Sequence, residues 1–163
     1  MRKSLSYLLA VIGLFGLLGA GVGLASNFTI SFFIEQFVEP GTDPLDNTQV
    51  GIMFLVAIFF SYAVGPLASG VTGVVVGRGL SGREAVAGVV AGTGGFLGFY
   101  LFVGLALFSL LAVLSEFGPP GGGGGGGGDG PLNPSALLTL MVQVSLLTGL
   151  VGFGTAYLTS RID

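Results

Sequence analysis

The chain has 163 residues, of which five are Lys or Arg and eight are Asp or Glu, so that charged residues make up 8% of it. A soluble domain carries roughly 25% charged residues, and the mean hydropathy here is +0.94. This composition excludes an ordinary soluble globular domain, which needs a mixed charged surface to stay dispersed. The absence of His and Cys from the sequence also excludes imidazole catalysis, disulfides and metal sites built on thiolates or imidazoles.

Four charge-free stretches predict the fold, and in chain order they cover residues 5–25, 50–77, 85–114 and 135–158. Each is long enough to cross the ~30 Å hydrocarbon layer, which takes about 20 apolar residues as a helix. Core helices of a soluble protein are the alternative, but four consecutive stretches without a charged face disfavour it. We predict an all-α fold with a single transmembrane domain over 1–163. It is an integral membrane four-helix bundle made of two in-out-in helical hairpins, with these four stretches as its spans.

The first span has a basic start and could instead be a signal peptide that is cleaved. Its apolar run exceeds the 7–15 residues of a signal sequence, so we expect a membrane span. Beyond it, segment 28–39 carries apolar residues with the i, i+3, i+4 spacing of one helix face. The segment predicts a short external amphipathic helix, which either continues the first span outward or lies in the membrane interface. An extended loop resting on the other helices is the alternative.

The connection between the third and fourth spans, residues 115–134, contains eight consecutive glycines at 121–128. Glycine has the largest entropy cost of ordering and no side chain that could pack. We therefore predict a flexible external loop that acts as a tether.

The charges between the spans sort completely by side. All five basic residues fall on the side that holds both termini and the short turn between the second and third spans; they are Arg2, Lys3, Arg78, Arg83 and Arg161. The opposite side receives only acidic residues. Because cytoplasmic loops are enriched in Lys and Arg, we predict a multi-pass protein of the cell membrane with cytoplasmic N- and C-termini.

Small residues recur every fourth position within the spans. The second span carries Gly65, Ser69, Gly73 and Gly77, and the third carries a shorter series that includes Gly88 and Gly92. Small residues at this spacing let helix backbones approach closely in a membrane. We predict helix–helix contacts at these positions, inside one bundle and, for the face of Gly73 and Gly77, as an alternative between two copies of the chain; the two interpretations are compatible. Pro66 in the second span predicts a kink.

Gln143 in the fourth span is the intramembrane side chain that would be most costly to leave unpaired, and we expect it to contact another helix. None of the four predicted spans contains a charged residue, the kind of side chain that usually marks a proton relay or an ion pathway inside a membrane. This absence argues against proton-coupled transport, but it leaves open a channel lined by hydroxyl and carbonyl groups.

The chain is rich in Gly, has a single Lys, and concentrates acidic residues in the outer loops. In this style of composition and topology, rather than in any motif, it resembles the small four-span membrane proteins of halophilic archaea. The resemblance implies the membrane of an extreme halophile and assigns no site residues.

Together these features predict a non-enzymatic integral membrane protein that serves as a structural, accessory or assembly subunit. A small oligomeric channel or transporter without intramembrane charges is the alternative. We expect no catalytic residues, no cofactor and no metal. The expected partners are the lipid bilayer and either further copies of the chain or a larger membrane complex, and no nucleic acid.

Overall fold

The computed structural model describes residues 2–39, 42, 44, 47–117 and 134–162. These residues form four helices, α1 (Arg2–Phe37), α2 (Thr48–Gly79), α3 (Glu84–Phe117) and α4 (Pro134–Ile162). Each helix is long and apolar enough to cross a membrane, so the protein has the helices of a multi-pass membrane protein. Helix α3 continues to Phe117 and α4 begins at Pro134, so residues 115–117 and 134 of the predicted loop are helical. The glycine run lies outside the described residues.

The segment predicted as a short external helix is the last part of α1. This helix is continuous over 36 residues, which at 1.5 Å per residue makes it about 54 Å long. Ile30 and Ile34 are buried in a cluster with residues of α2 and α3. The Nδ2 atom of Asn27, at the apparent break in hydropathy, donates a hydrogen bond to the Ser109 carbonyl oxygen at 3.3 Å. These contacts explain why α1 continues where its sequence turns polar.

Asn47 joins the end of α1 to the start of α2. Its side-chain oxygen accepts hydrogen bonds from the backbone N–H groups of Gln49 and Val50 at 2.9 and 3.3 Å, as an N-cap residue does. Its Nδ2 atom donates to the Phe37 carbonyl oxygen at 2.8 Å. One side chain therefore satisfies backbone groups at two helix ends. Further along the chain, α2 continues through Pro66 as a single helix.

A four-residue turn, 80–83, connects α2 to α3. Gly82 adopts a positive φ of 75°, a conformation that glycine reaches without a steric penalty. The Gly82 N–H donates to the Ser160 carbonyl oxygen at 3.3 Å. The turn is thus attached to the end of α4, and the basic residues near these helix ends share one end of the bundle.

The contacts of the glycines define the helix directions. Along α1, Gly19 lies against Phe102 and Gly23 against Ser109, so that α1 and α3 run parallel. The glycine contacts between α2 and α4 show in the same way that these two helices run parallel, whereas those between α3 and α4 show that these two run antiparallel. Helix α1 packs mainly on α3, and α2 packs mainly on α4. Helix α4 packs almost as extensively on α3 as on α2, so the bundle combines contacts between sequence neighbours with contacts between helices that are distant in sequence.

Two apolar clusters fill the interior. The larger one contains three buried aromatic residues, Phe15, Phe99 and Phe102, together with small and β-branched residues of all four helices. The smaller one lies near the end of α1 and includes Val50 and Leu110. Bulky rings between small residues fill the centre of the bundle with side chains.

Candidate functional site

The predicted small-residue series of the second span, here called the α2 ridge (Gly65, Ser69, Gly73 and Gly77), is buried in full. A Cβ atom added to Gly73 would lie 2.9 Å from the Gly152 carbonyl oxygen, and one added to Gly77 would lie 2.7 Å from that of Ala156. Real Cβ atoms do not approach other atoms this closely. The structure therefore places Gly73 and Gly77 directly on the backbone of α4, whereas Gly65 lies against the Phe99 ring of α3 and the Thr148 side chain of α4.

This placement favours packing within the bundle as the role of the ridge. Gly73 and Gly77 lie against α4 of the same chain, so their face is already covered within one copy. A second copy cannot use that face unless the bundle opens. Any contact between copies must use another surface.

Gly88 and Gly92 of α3 lie against α4 as well. A Cβ on Gly88 would be 2.8 Å from a ring carbon of Phe153, and one on Gly92 would be 3.1 Å from the Gly149 carbonyl oxygen. All the predicted packing glycines thus lie at contacts that involve α4.

Ser69 connects three helices at the centre of this arrangement. Its hydroxyl donates to the Thr148 carbonyl oxygen at 2.7 Å, and its Oγ atom would be 2.5 Å from a Cβ on either Gly95 or Gly152. Glycine at those two positions makes room for the serine hydroxyl between α2, α3 and α4. Such a buried interhelical hydrogen bond stabilises helix association in a membrane.

Most other intramembrane hydroxyls bond within their own helix. Ser61, Thr72, Thr148 and Thr155 each donate to a carbonyl oxygen four residues earlier, at 2.7–2.9 Å. This bonding satisfies the hydroxyl without a partner helix. These groups therefore line no polar path through the bundle.

Gln143 differs from the expectation that it contacts another helix. Its side chain is exposed, and within the described part of the chain it has no hydrogen-bond partner. The reason lies in the rotation of α4, whose buried face carries Ser145, Thr148 and Gly152. Gln143 is two residues before Ser145, about 200° around the helix, and it therefore points away from the bundle.

A concave apolar surface is lined by Leu140 and Val144, which neighbour Gln143 in α4, although Gln143 itself does not line it. This outer groove lies between α2 and α4, has a volume of about 870 Å³, and is lined by apolar side chains that include Leu55, Phe59, Leu140 and Val144. Leu140, Gln143 and Leu147 follow one another at three- and four-residue steps along α4, and all are exposed. The amide therefore lies on an otherwise apolar stripe beside a groove.

The described residues contain no group of three or more acidic side chains that could hold a metal ion. The chain matches no family model, no curated protein and no solved structure.

Sequence analysis missed one close contact, between Gly79 at the end of α2 and the phenol ring of Tyr7 in α1. Gly79 lies outside the four-residue spacing of the α2 ridge. Only the relative position of α1 and α2 makes this glycine a contact site.

Proposed function

We propose that the protein is a non-enzymatic structural or assembly subunit of the cell membrane, and that it joins a larger complex through the outer groove. One observation carries this proposal. The Gln143 amide, inside the apolar segment Leu138–Ile162, is exposed on the outer surface of the bundle.

An amide in hydrocarbon without a hydrogen-bond partner is costly, whereas a hydrogen bond to another helix stabilises association by roughly 0.6–2 kcal/mol. A partner helix that brings a polar side chain to Gln143 removes that cost. Its apolar side chains would fill the outer groove next to the amide. Polar contact and shape thus favour the same position for a partner helix, which is either a second copy of the chain or a different membrane protein.

The alternative function, a channel or transporter, finds less support inside one copy. The centre of the bundle is filled by Phe15, Phe99 and Phe102, and most hydroxyls with a described hydrogen bond donate within their own helix or to a neighbouring backbone. A pore would have to form between copies, beside Gln143. Ion flux through reconstituted protein above that of protein-free vesicles would favour this alternative over the subunit proposal.

Site-directed photocrosslinking in native membranes tests the proposal. A benzophenone amino acid at Leu147, which is 51% exposed on the Gln143 stripe, should crosslink to a partner, whereas the same group at Leu17, 77% exposed on α1, should meet mainly lipid. Gln143→Leu should abolish the crosslink at position 147 and leave the folded monomer intact, because lipid tails are as apolar as Leu. Equal crosslinking from both positions, or an unchanged crosslink in Gln143→Leu, would contradict the proposal.

For orientation, we propose that the helix ends that carry Lys3, Arg78, Arg83 and Arg161 face the cytoplasm. The orientation can be measured from the accessibility of a tag at each terminus in sealed cells. Labelling of a C-terminal tag from outside would reverse the assignment without affecting the lateral contact.

A further inference from the structure

A cleft opens at the end of the bundle where α1 begins and α2 ends. It has a volume of about 450 Å³ and is lined by Lys3, Ser6, Tyr7, Ala10 and Gly79. The four residues from α1 recur at i, i+3, i+4 and i+7, so they form one face of that helix. The cleft thus has a wall of α1 side chains and, at Gly79, a wall of bare backbone.

Gly79 determines the position of the Tyr7 ring. A Cβ atom on Gly79 would meet the phenol oxygen of Tyr7, and it would lie 3.0 Å from the ring carbon Cε1. The ring therefore occupies space that any larger residue at position 79 would take. This contact holds the phenol group at the wall of the cleft.

The charges at this end of the bundle favour the binding of an anion. Lys3 is exposed and pairs with no acidic group among the described residues. Arg78, Arg83 and Arg161 lie at the same helix ends, where the described acidic residue is Glu84. Among the described residues, positive charge therefore exceeds negative charge at this end of the bundle.

Polarity also changes along the cleft. The ammonium of Lys3 and the hydroxyls of Ser6 and Tyr7 belong to about one turn of α1, and Ala10 lies about 4.5 Å beyond Tyr7 and about 10 Å beyond Lys3, from the rise of 1.5 Å per residue. A phospholipid has the same order, with a phosphate at the membrane surface and an acyl chain below it. Basic pockets between membrane helices are known to hold anionic headgroups.

We propose that this cleft binds the phosphate group of an anionic membrane phospholipid. The Lys3 ammonium pairs with the phosphate, the Tyr7 hydroxyl donates a hydrogen bond to it, and an acyl chain passes Ala10. This site is separate from the outer groove and does not depend on the proposed subunit function.

Native mass spectrometry of the intact protein in detergent tests the site, with dioleoyl-phosphatidylglycerol and dioleoyl-phosphatidylcholine as probes of equal acyl chains. The protein should retain one phosphatidylglycerol at least about fivefold more tightly than phosphatidylcholine, the effect of one well-placed basic group. Lys3→Gln should remove this preference. Arg83→Gln, which loses the same charge at an exposed position of the same end outside the cleft, should reduce it less than about twofold. Equal losses in the two variants would show binding by diffuse charge and overturn the proposal.

A second variant tests the geometry without changing any charge. Gly79→Ala should displace the Tyr7 ring and weaken phosphatidylglycerol binding severalfold, while Ser81→Ala in the adjacent exposed turn should leave it unchanged. Unaltered binding in Gly79→Ala would place the lipid elsewhere. Displacement of the bound lipid by inorganic phosphate alone would assign the cleft to a free anion and contradict the lipid proposal.

Discussion

Gly19 and Gly21 of α1 offer a matched pair for measuring how closely α1 and α3 approach. A Cβ on Gly19 would lie 2.6 Å from the Phe102 carbonyl oxygen and 2.7 Å from its Cα atom, whereas one on Gly21 meets nothing within 4 Å. The obstruction at Gly19 is backbone, which cannot rotate aside as a side chain can. The first of these distances is about 0.8 Å short of the 3.4 Å at which ordinary contact begins.

We expect Gly19→Ala to force α1 and α3 apart, with the cost of overpacking a tight site, about 1–3 kcal/mol. Replacing Gly by Ala inside a helix has by itself a favourable effect of roughly 0.5–1 kcal/mol. Because both variants receive that gain, the difference between their free energies of unfolding isolates the steric clash. Gly21→Ala should be neutral or stabilising.

Reversible unfolding of both variants in mixed micelles, followed by circular dichroism, measures the difference. Gly19→Ala should unfold at a lower denaturant fraction than the wild type, and Gly21→Ala at the same fraction or a higher one. Equal stability of the two variants would refute the close approach of α1 and α3 at Phe102.

Three further predictions concern other parts of the chain. Gly73→Leu places a large side chain against Thr155 and Gly152 and should reduce the yield of folded monomer in detergent. Val75→Leu, at an exposed position of α2, should leave that yield unchanged. Loss of an oligomer with an intact monomer in Gly73→Leu would contradict the placement of the α2 ridge inside the bundle. Ser69→Ala removes the hydrogen bond to Thr148 and should lower the free energy of unfolding by about 0.5–1.5 kcal/mol. The Thr72 hydroxyl bonds within α2, so Thr72→Val should change the free energy of unfolding much less. Similar losses for the two variants in calorimetry would argue against an interhelical role for Ser69. Shortening the glycine run 121–128 to four residues should change thermal stability by under about 0.6 kcal/mol, since the entropy of loop closure varies slowly with length; a large loss of folded protein would show that the run contributes contacts.

The sequence was sufficient to predict four helices long and apolar enough to span a membrane, and the described residues form four such helices. A bilayer requires every backbone polar group to be satisfied within the spanning segment, so that a long charge-free run predicts a membrane helix wherever it occurs. The α1 boundary was harder to predict, because Ile30, Ile34 and Asn27 are held in the helix by residues of α2 and α3 that lie far away in sequence.

The tertiary structure alone decided which face of each helix is buried. Lipid tails and the bundle interior are equally apolar, so that hydropathy does not distinguish an inward Leu from an outward one. Small residues at four-residue spacing provided the available signal, and the structure places the α2 ridge at a contact. No such signal marked Gly79, and the polarity of Gln143 suggested an inward position that the rotation of α4 does not give it. Helix rotation depends on the shapes of two partners at once, and one helix's sequence describes only its own side of the contact.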